Sequence, residues 1–171
     1  MNKYIDDWRC NRLAQDGALP DIRLIALDMD GTLLNEAGVL TQESKDVLLC
    51  AMERGVHVVI ATGRVFSALP QDVVCVPGIE YAITSNGANI VRLSDQATVY
   101  SDLIDGEAIA QLVDLFYDSS IMKEVFFHHQ VYAQRSCLEH LEEFGICSEK
   151  SKHYVLSTRI AVEDATQLLL D

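Results

Sequence analysis

Asp28-Met29-Asp30-Gly31-Thr32-Leu33-Leu34 follows directly on the apolar run Ile22-Arg23-Leu24-Ile25-Ala26-Leu27, and this junction decides how the chain is read. A short apolar run before a turn reads as a buried strand. Its C-terminal mouth is where open α/β sheets do their chemistry. Asp-x-Asp-Gly-Thr should arise by chance in about two of a thousand chains of this length, so the segment is read as a site. If the alternation of the strand carries past its end, Asp28 and Asp30 share one side and Met29 faces the other. A carboxylate is nucleophilic at neutral pH and can form an aspartyl-phosphate, a role that suits Asp28. Asp30 could then protonate the leaving oxygen and later activate water. Gly31 lets the chain turn sharply, and the N–H groups of such a turn can point at phosphate oxygens. Two carboxylates repel an anionic substrate, so a hard divalent cation with oxygen ligands, Mg²⁺, is expected here. The competing reading is a plain turn with helix-capping aspartates.

These residues resemble the first signature of the haloacid dehalogenase (HAD) superfamily of phosphohydrolases. A second apolar run, Val56-His57-Val58-Val59-Ile60-Ala61, ends in Thr62-Gly63-Arg64, which is similar to the second motif of that family. An ordinary strand-to-helix turn with Thr62 as N-cap would look alike. A third segment, Tyr81-Ala82-Ile83-Thr84-Ser85-Asn86-Gly87-Ala88, resembles the strand and hinge after which the Cof-like branch, subfamily IIB, inserts its cap. Asn-Gly is also a strong hairpin signal, and either reading puts a chain reversal at Asn86 and Gly87.

The resemblance implies a Mg²⁺-dependent phosphatase of small, sugar-phosphate-like metabolites acting through an aspartyl-phosphate. Asp28 and Asp30 would be catalytic and would also hold the metal, Asp28 through its side chain and Asp30 through its backbone carbonyl. Thr62, Gly63, Arg64 and Met29 would meet the substrate phosphate, and Asn86 and Gly87 would form a hinge or substrate entrance. Phe126, Phe127 and Tyr132 are candidates to line the cap side of the site, or else cap core. The family pattern continues into a Lys and a Gly-Asp-x-x-x-Asp motif that are not found in these 171 residues. The chain is therefore expected to be C-terminally truncated relative to that pattern, and weak or inactive in isolation. The alternative is a non-catalytic remnant that binds a phosphometabolite or a partner protein; a mutase or transferase on the same scaffold is a lesser one.

Composition agrees with a globular enzyme: 49% of residues are hydrophobic and 23% charged. Thirteen basic against 26 acidic residues give a formal charge of −13, which repels nucleic acid and anionic membranes. The expected partner is a small phosphorylated metabolite, with a homo-oligomer or a complementing C-terminal half as possibilities. Five scattered cysteines, no apolar stretch resembling a signal peptide and no run of about 18 apolar residues lead us to expect a cytoplasmic protein. His128 and His129 would face opposite ways on a strand, which argues against zinc.

The expected architecture is α/β: half of a HAD-type doubly wound, parallel, Rossmann-like sheet plus a partial α+β cap. Residues 1–20 form a helical extension, with an amphipathic helix over 2–15 that carries Trp8; 21–87 form the half-core, and 88–171 the cap. In the half-core, strands are expected at 22–27, 56–61 and 81–85, with helices at 42–54 and about 64–75, the latter interrupted or kinked near Pro70. In the cap, strands are expected at 89–93, 98–103, 123–128, 130–135 and 153–161, with helices at 105–117, 136–145 and 163–170.

Overall fold

The computed structural model describes residues 21–116 and 121–165. The helix expected over 2–15, with Trp8, and the end of the one expected over 163–170 lie outside the described residues.

Three strands, β1 (Leu24–Leu27), β2 (His57–Ala61) and β3 (Tyr81–Thr84), run parallel in that order, with Leu24 opposite His57 and Ile60 opposite Ala82. Parallel neighbours need a crossover. The first crossover carries α1 (Gln42–Glu53), whose Thr41 side chain accepts a hydrogen bond from Ser44 N at 3.1 Å and whose exit is eased by Gly55 at φ 81°. The second is interrupted at Pro70, the first of the two outcomes expected for 64–75. Pro70 disfavours helical backbone at Leu69, which sits at φ −74°, ψ 133°, so a 3₁₀ turn (Phe66–Ala68) and α2 (Gln71–Val74) take the place of one continuous helix.

Alternation along β2 turns Val58 and Ile60 inward, where they are 2% and 1% exposed. They join Met29, Leu48, Val73, Val76 and Ala82 in one buried cluster beneath the loops that follow the strands.

The sheet continues beyond β3. β4 (Asn89–Arg92) and β5 (Thr98–Ser101) add antiparallel, so the strands expected at 89–93 and 98–103 as part of the cap are hydrogen-bonded to the first sheet instead. The reason is local: the turn at Ser85–Gly87 folds β4 straight back onto β3, with Asn89 opposite Thr84.

A second sheet has the order β6 (Glu124–Phe127), β7 (Gln130–Ala133), β8 (Arg159–Ala161). His128 and His129 lie not on a strand but in the two-residue turn between β6 and β7, with φ 45° and 62°. In chain order α3 (Gly106–Leu115) lies between the two sheets, capped by the Asp105 carboxylate, and α4 (Arg135–Glu139) follows β7. The strand expected over 153–161 is mostly helix, α5 (Glu149–Thr158), because the Ser148 hydroxyl accepts from Ser151 N at 3.0 Å and starts a helix before the β-branched residues arrive. Only Arg159–Ala161 remain as a strand, followed by α6 (Val162–Ala165).

The two sheets touch at several points. Ser67 Oγ donates to the His129 carbonyl at 2.6 Å, Thr98 Oγ1 lies 3.0 Å from His129 Nε2, and Lys150 Nζ donates to the Glu36 carbonyl. Among the described residues no helix is long and apolar enough to cross a membrane.

Two outcomes are expected. Ile60→Ala should destabilise the chain by about 2–5 kcal/mol in urea unfolding, since it empties a closed core position. Among the described residues β1 pairs only with β2 and Leu24 is 57% exposed, an open edge that can template pairing with another chain. Light scattering should show association that grows with concentration and weakens in Leu24→Lys; a concentration-independent monomer would mean that the edge is covered.

Candidate active site

Because β1 and β2 are parallel, their C-terminal loops emerge side by side. Asp28, Asp30, Thr62, Gly63 and Arg64 all line one cleft of about 310 Å³. The first loop, residues 29–33, is closed by Leu33 N donating to the Asp28 carbonyl (3.3 Å) and Leu34 N to the Met29 carbonyl (2.9 Å). Gly31 makes the reversal at φ 75°, a region costly for side-chain-bearing residues.

The second loop is stitched to the third. Asn86 N donates to the Thr62 carbonyl at 3.2 Å and Ser85 N to the Arg64 carbonyl at 2.8 Å. Thr62 is 7% exposed, and its hydroxyl accepts from Arg64 N at 3.2 Å, which leaves its O–H to donate to a ligand. The Asn86 side chain lies against Gly63, where a Cβ would come 2.8 Å from Asn86 Oδ1.

Charge in the cleft is arranged in pairs. Arg64 forks onto Asp30, Nε to Oδ2 at 2.8 Å and Nη2 to Oδ1 at 2.6 Å, and its Nη1 donates to the Ala68 carbonyl. The hydrogen bonds to Asp30 raise the pKa of Arg64 above the ordinary guanidinium value, against a smaller opposing effect of burial. From the second sheet, Arg159 forks onto Glu124, with Nε to Oε1 at 2.8 Å. Burial lowers the pKa of Arg159, but the hydrogen bond and charge of Glu124, with Tyr154, outweigh it and the net shift is upward. A raised arginine pKa contributes stability that is lost only as pH climbs through it, so both guanidinium groups stay charged across the working range of pH.

Asp28 is the carboxylate of the cleft that has no ion-pair partner among the described residues; it accepts only a long hydrogen bond, 3.4 Å, from Thr32 Oγ1. For Mg²⁺, the Asp28 carboxylate and the Asp30 main-chain carbonyl are hard oxygen donors of the right kind. No group of three or more His, Cys, Asp or Glu side chains is placed to hold a metal among the described residues. Two protein donors suit Mg²⁺ only in a shell otherwise made of water, which this ion readily keeps.

The remaining candidates divide. Met29 is fully buried in the core, so its side chain faces away from the cleft, as strand alternation implies. Asn86 buttresses Gly63, and Gly87 takes φ 98° in the β3–β4 reversal; neither lines the cleft. Of the three aromatic candidates only Phe126 lines it, whereas the Phe127 ring meets His128 with centroids 4.2 Å apart. Tyr154 and Arg159 also line the cleft and were not anticipated. With 153–161 read as a strand, their helical and strand positions could not be assigned to this face.

Residues 25–169 match a family described as haloacid dehalogenase-like hydrolase. The chain belongs to this family. Among curated relatives of HAD-like type, it is 40% identical over 70 residues to 5-amino-6-(5-phospho-D-ribitylamino)uracil phosphatase YcsE of Bacillus subtilis (strain 168), covering 41% of this chain and 28% of that protein. It is 28% identical over 129 residues to phosphatase YwpJ of the same organism, covering 71% and 42%. A HAD phosphatase structure from Bacteroides thetaiotaomicron superposes with a TM-score of 0.61 at 26% identity, covering 74% of this chain and 48% of that one. The fold is shared with a HAD subclass IIB sugar phosphatase, TM-score 0.63 at 19% identity over 85% of this chain and 55% of that one. This chain spans about half or less of the length of the curated relatives it matches.

Gly63→Ala should force Asn86 off Gly63 and loosen the join between the second and third loops. The expected loss is about 1–3 kcal/mol in thermal or urea unfolding.

Proposed function

We propose that the cleft is the phosphoryl-transfer site of a Mg²⁺-dependent phosphatase acting on small phosphorylated metabolites. The observation that carries this reading is the unpaired Asp28 carboxylate in the same cleft as the Thr62 hydroxyl. A carboxylate free of a counter-ion is the better nucleophile, and a hydroxyl whose lone pair is already engaged presents its proton to a phosphate oxygen.

In this reading Asp28 attacks phosphorus to give an aspartyl-phosphate while Asp30, in its protonated form, gives its proton to the departing ester oxygen. The Asp30 carboxylate that results is the state the Arg64 fork holds. Asp30 then takes a proton from water as water attacks the phosphorus, returning Asp28 and releasing phosphate. Thr62 and the N–H groups of the loop after β1 hold the phosphate oxygens, and Arg64 fixes the Asp30 carboxylate by its fork. Asp28 and the Asp30 carbonyl would hold Mg²⁺, which when bound would supply positive charge to offset the repulsion between the carboxylates and the phosphate. The phosphatase names of the relatives support the class of reaction, and the ribitylaminouracil phosphate named for one of them suggests a phosphorylated polyol as a first substrate to try.

A second reading, phosphometabolite binding without turnover, is favoured by one feature: no third carboxylate joins Asp28 and Asp30 in a metal cluster among the described residues. With fewer carboxylate ligands a cation is held less tightly, and the electrostatic stabilisation lost with it is worth about 10²–10³ in rate.

The test is phosphate release from a panel of sugar and polyol phosphates with and without Mg²⁺. Asp28→Asn should abolish turnover, and Asp30→Asn should lower it by about 10²–10⁴-fold. Full activity in Asp28→Asn would place the chemistry elsewhere. Phosphate-ester binding by calorimetry with no hydrolysis by the unaltered chain would favour the second reading.

A further inference from the structure

The phosphate end of the cleft is built by loops of the first sheet, yet one of its side chains is gripped from the second. The Arg64 guanidinium, forked onto Asp30, lies with Cζ 4.9 Å from the centroid of the Tyr154 ring. Tyr154 belongs to α5, so this contact crosses between the two parts of the molecule. The same ring carries Arg159, Cζ at 5.1 Å, and Arg159 is forked onto Glu124 of β6. Both distances fall within the roughly 6 Å reach of a cation over an aromatic face, and a flat guanidinium is the cation best shaped for it. Asp30, Arg64, Tyr154, Arg159 and Glu124 thus form an unbroken run of contacts from the loop after β1 to the second sheet. Each arginine is neutralised by its own carboxylate, which lets two like charges share one ring.

Other links between the two parts, among them Ser67 to His129 and Gln130, Thr98 and Phe66 to His129, and Lys150 to Glu36, touch no carboxylate of the cleft. The Tyr154 contact reaches Asp30, and it does so through a side chain whose Nε and Nη2 donate to Asp30 and whose Nη1 donates to the Ala68 carbonyl.

We propose that Tyr154 is a positioning residue: by holding the Arg64 guanidinium it sets the Asp30 carboxylate and the loop of residues 28–34, so that the site is assembled only while the second sheet is seated on the first. For its functional meaning this rests on the reading of Asp30 as acid and base. Its geometry does not, and the test below needs no turnover.

Amide hydrogen exchange, followed residue by residue by NMR on the full chain, reads the loop directly. The amides of Leu33 and Leu34 close it onto the carbonyls of Asp28 and Met29. Tyr154→Leu should speed their exchange about 3- to 30-fold, the range expected when a cation–aromatic contact of this kind is lost, while the amides of β2 stay as they were. Tyr154→Phe keeps the aromatic face and should exchange like the unaltered chain. A merely structural role for Tyr154 would change exchange in α5 and β8 alone, and that result, or equal loop exchange in all three proteins, overturns the proposal. Should Tyr154→Leu loosen β2 as well, Tyr154→Met, which fills more of the space without a ring, carries the same comparison. A chain that shows the expected exchange pattern but hydrolyses no phosphate ester would sink the phosphatase reading and leave this coupling standing.

Discussion

Parallel pairing of β1 with β2 is the constraint on which the site depends. An antiparallel neighbour would send the second loop to the opposite end of the sheet. In parallel, with Leu27 opposite Ile60, the chain leaves both strands at one edge and delivers Asp28 and Thr62 to the same cleft. The crossover this demands is supplied by α1, and the face it covers is made dry by Val58, Ile60 and Leu48. Met29 shows how closely core and site are interleaved: the residue between the two aspartates is fully buried and anchors the loop.

Electrostatics then differentiates two chemically identical side chains. Asp30 is held by a two-pronged, charge-assisted fork, which constrains orientation as well as position. Its carboxylate is 58% exposed, so the fork contributes modestly to stability and matters mainly for geometry. Asp28 has no such partner among the described residues. The two carboxylates thus stand in unlike surroundings, one oriented by an arginine and the other open to the cleft.

The second sheet shapes the far wall of the cleft through Phe126, Val131, Tyr154 and Arg159. The charge that wall carries, on Arg159, is already paired with Glu124. This part of the molecule meets the first sheet and its loops at the β6–β7 turn and at α5. Elsewhere large apolar side chains stand exposed, Leu103 at 68% and Leu115 at 73%.

The sequence by itself determined the first sheet and the chemistry at its edge. An apolar run ending in Asp-x-Asp-Gly-Thr is strand and turn whatever surrounds it, Thr41 caps the helix that follows, and Pro70 forbids an uninterrupted one, because each signal acts through a few neighbouring residues. Short alternating strands carry no label for the sheet they join, so only tertiary structure decided that β4 and β5 extend the first sheet: that choice was made by the reversal at Ser85–Gly87 and the free hydrogen-bonding edge of β3. The run from His153 to Ala161 satisfied strand propensity, yet the Ser148 cap and the burial of Val155 beside an exposed Leu156 made most of it helix. That difference turned Tyr154 toward Arg64. A contact spanning 90 positions in the chain has no local signature, since it exists only once two separately specified parts have packed together.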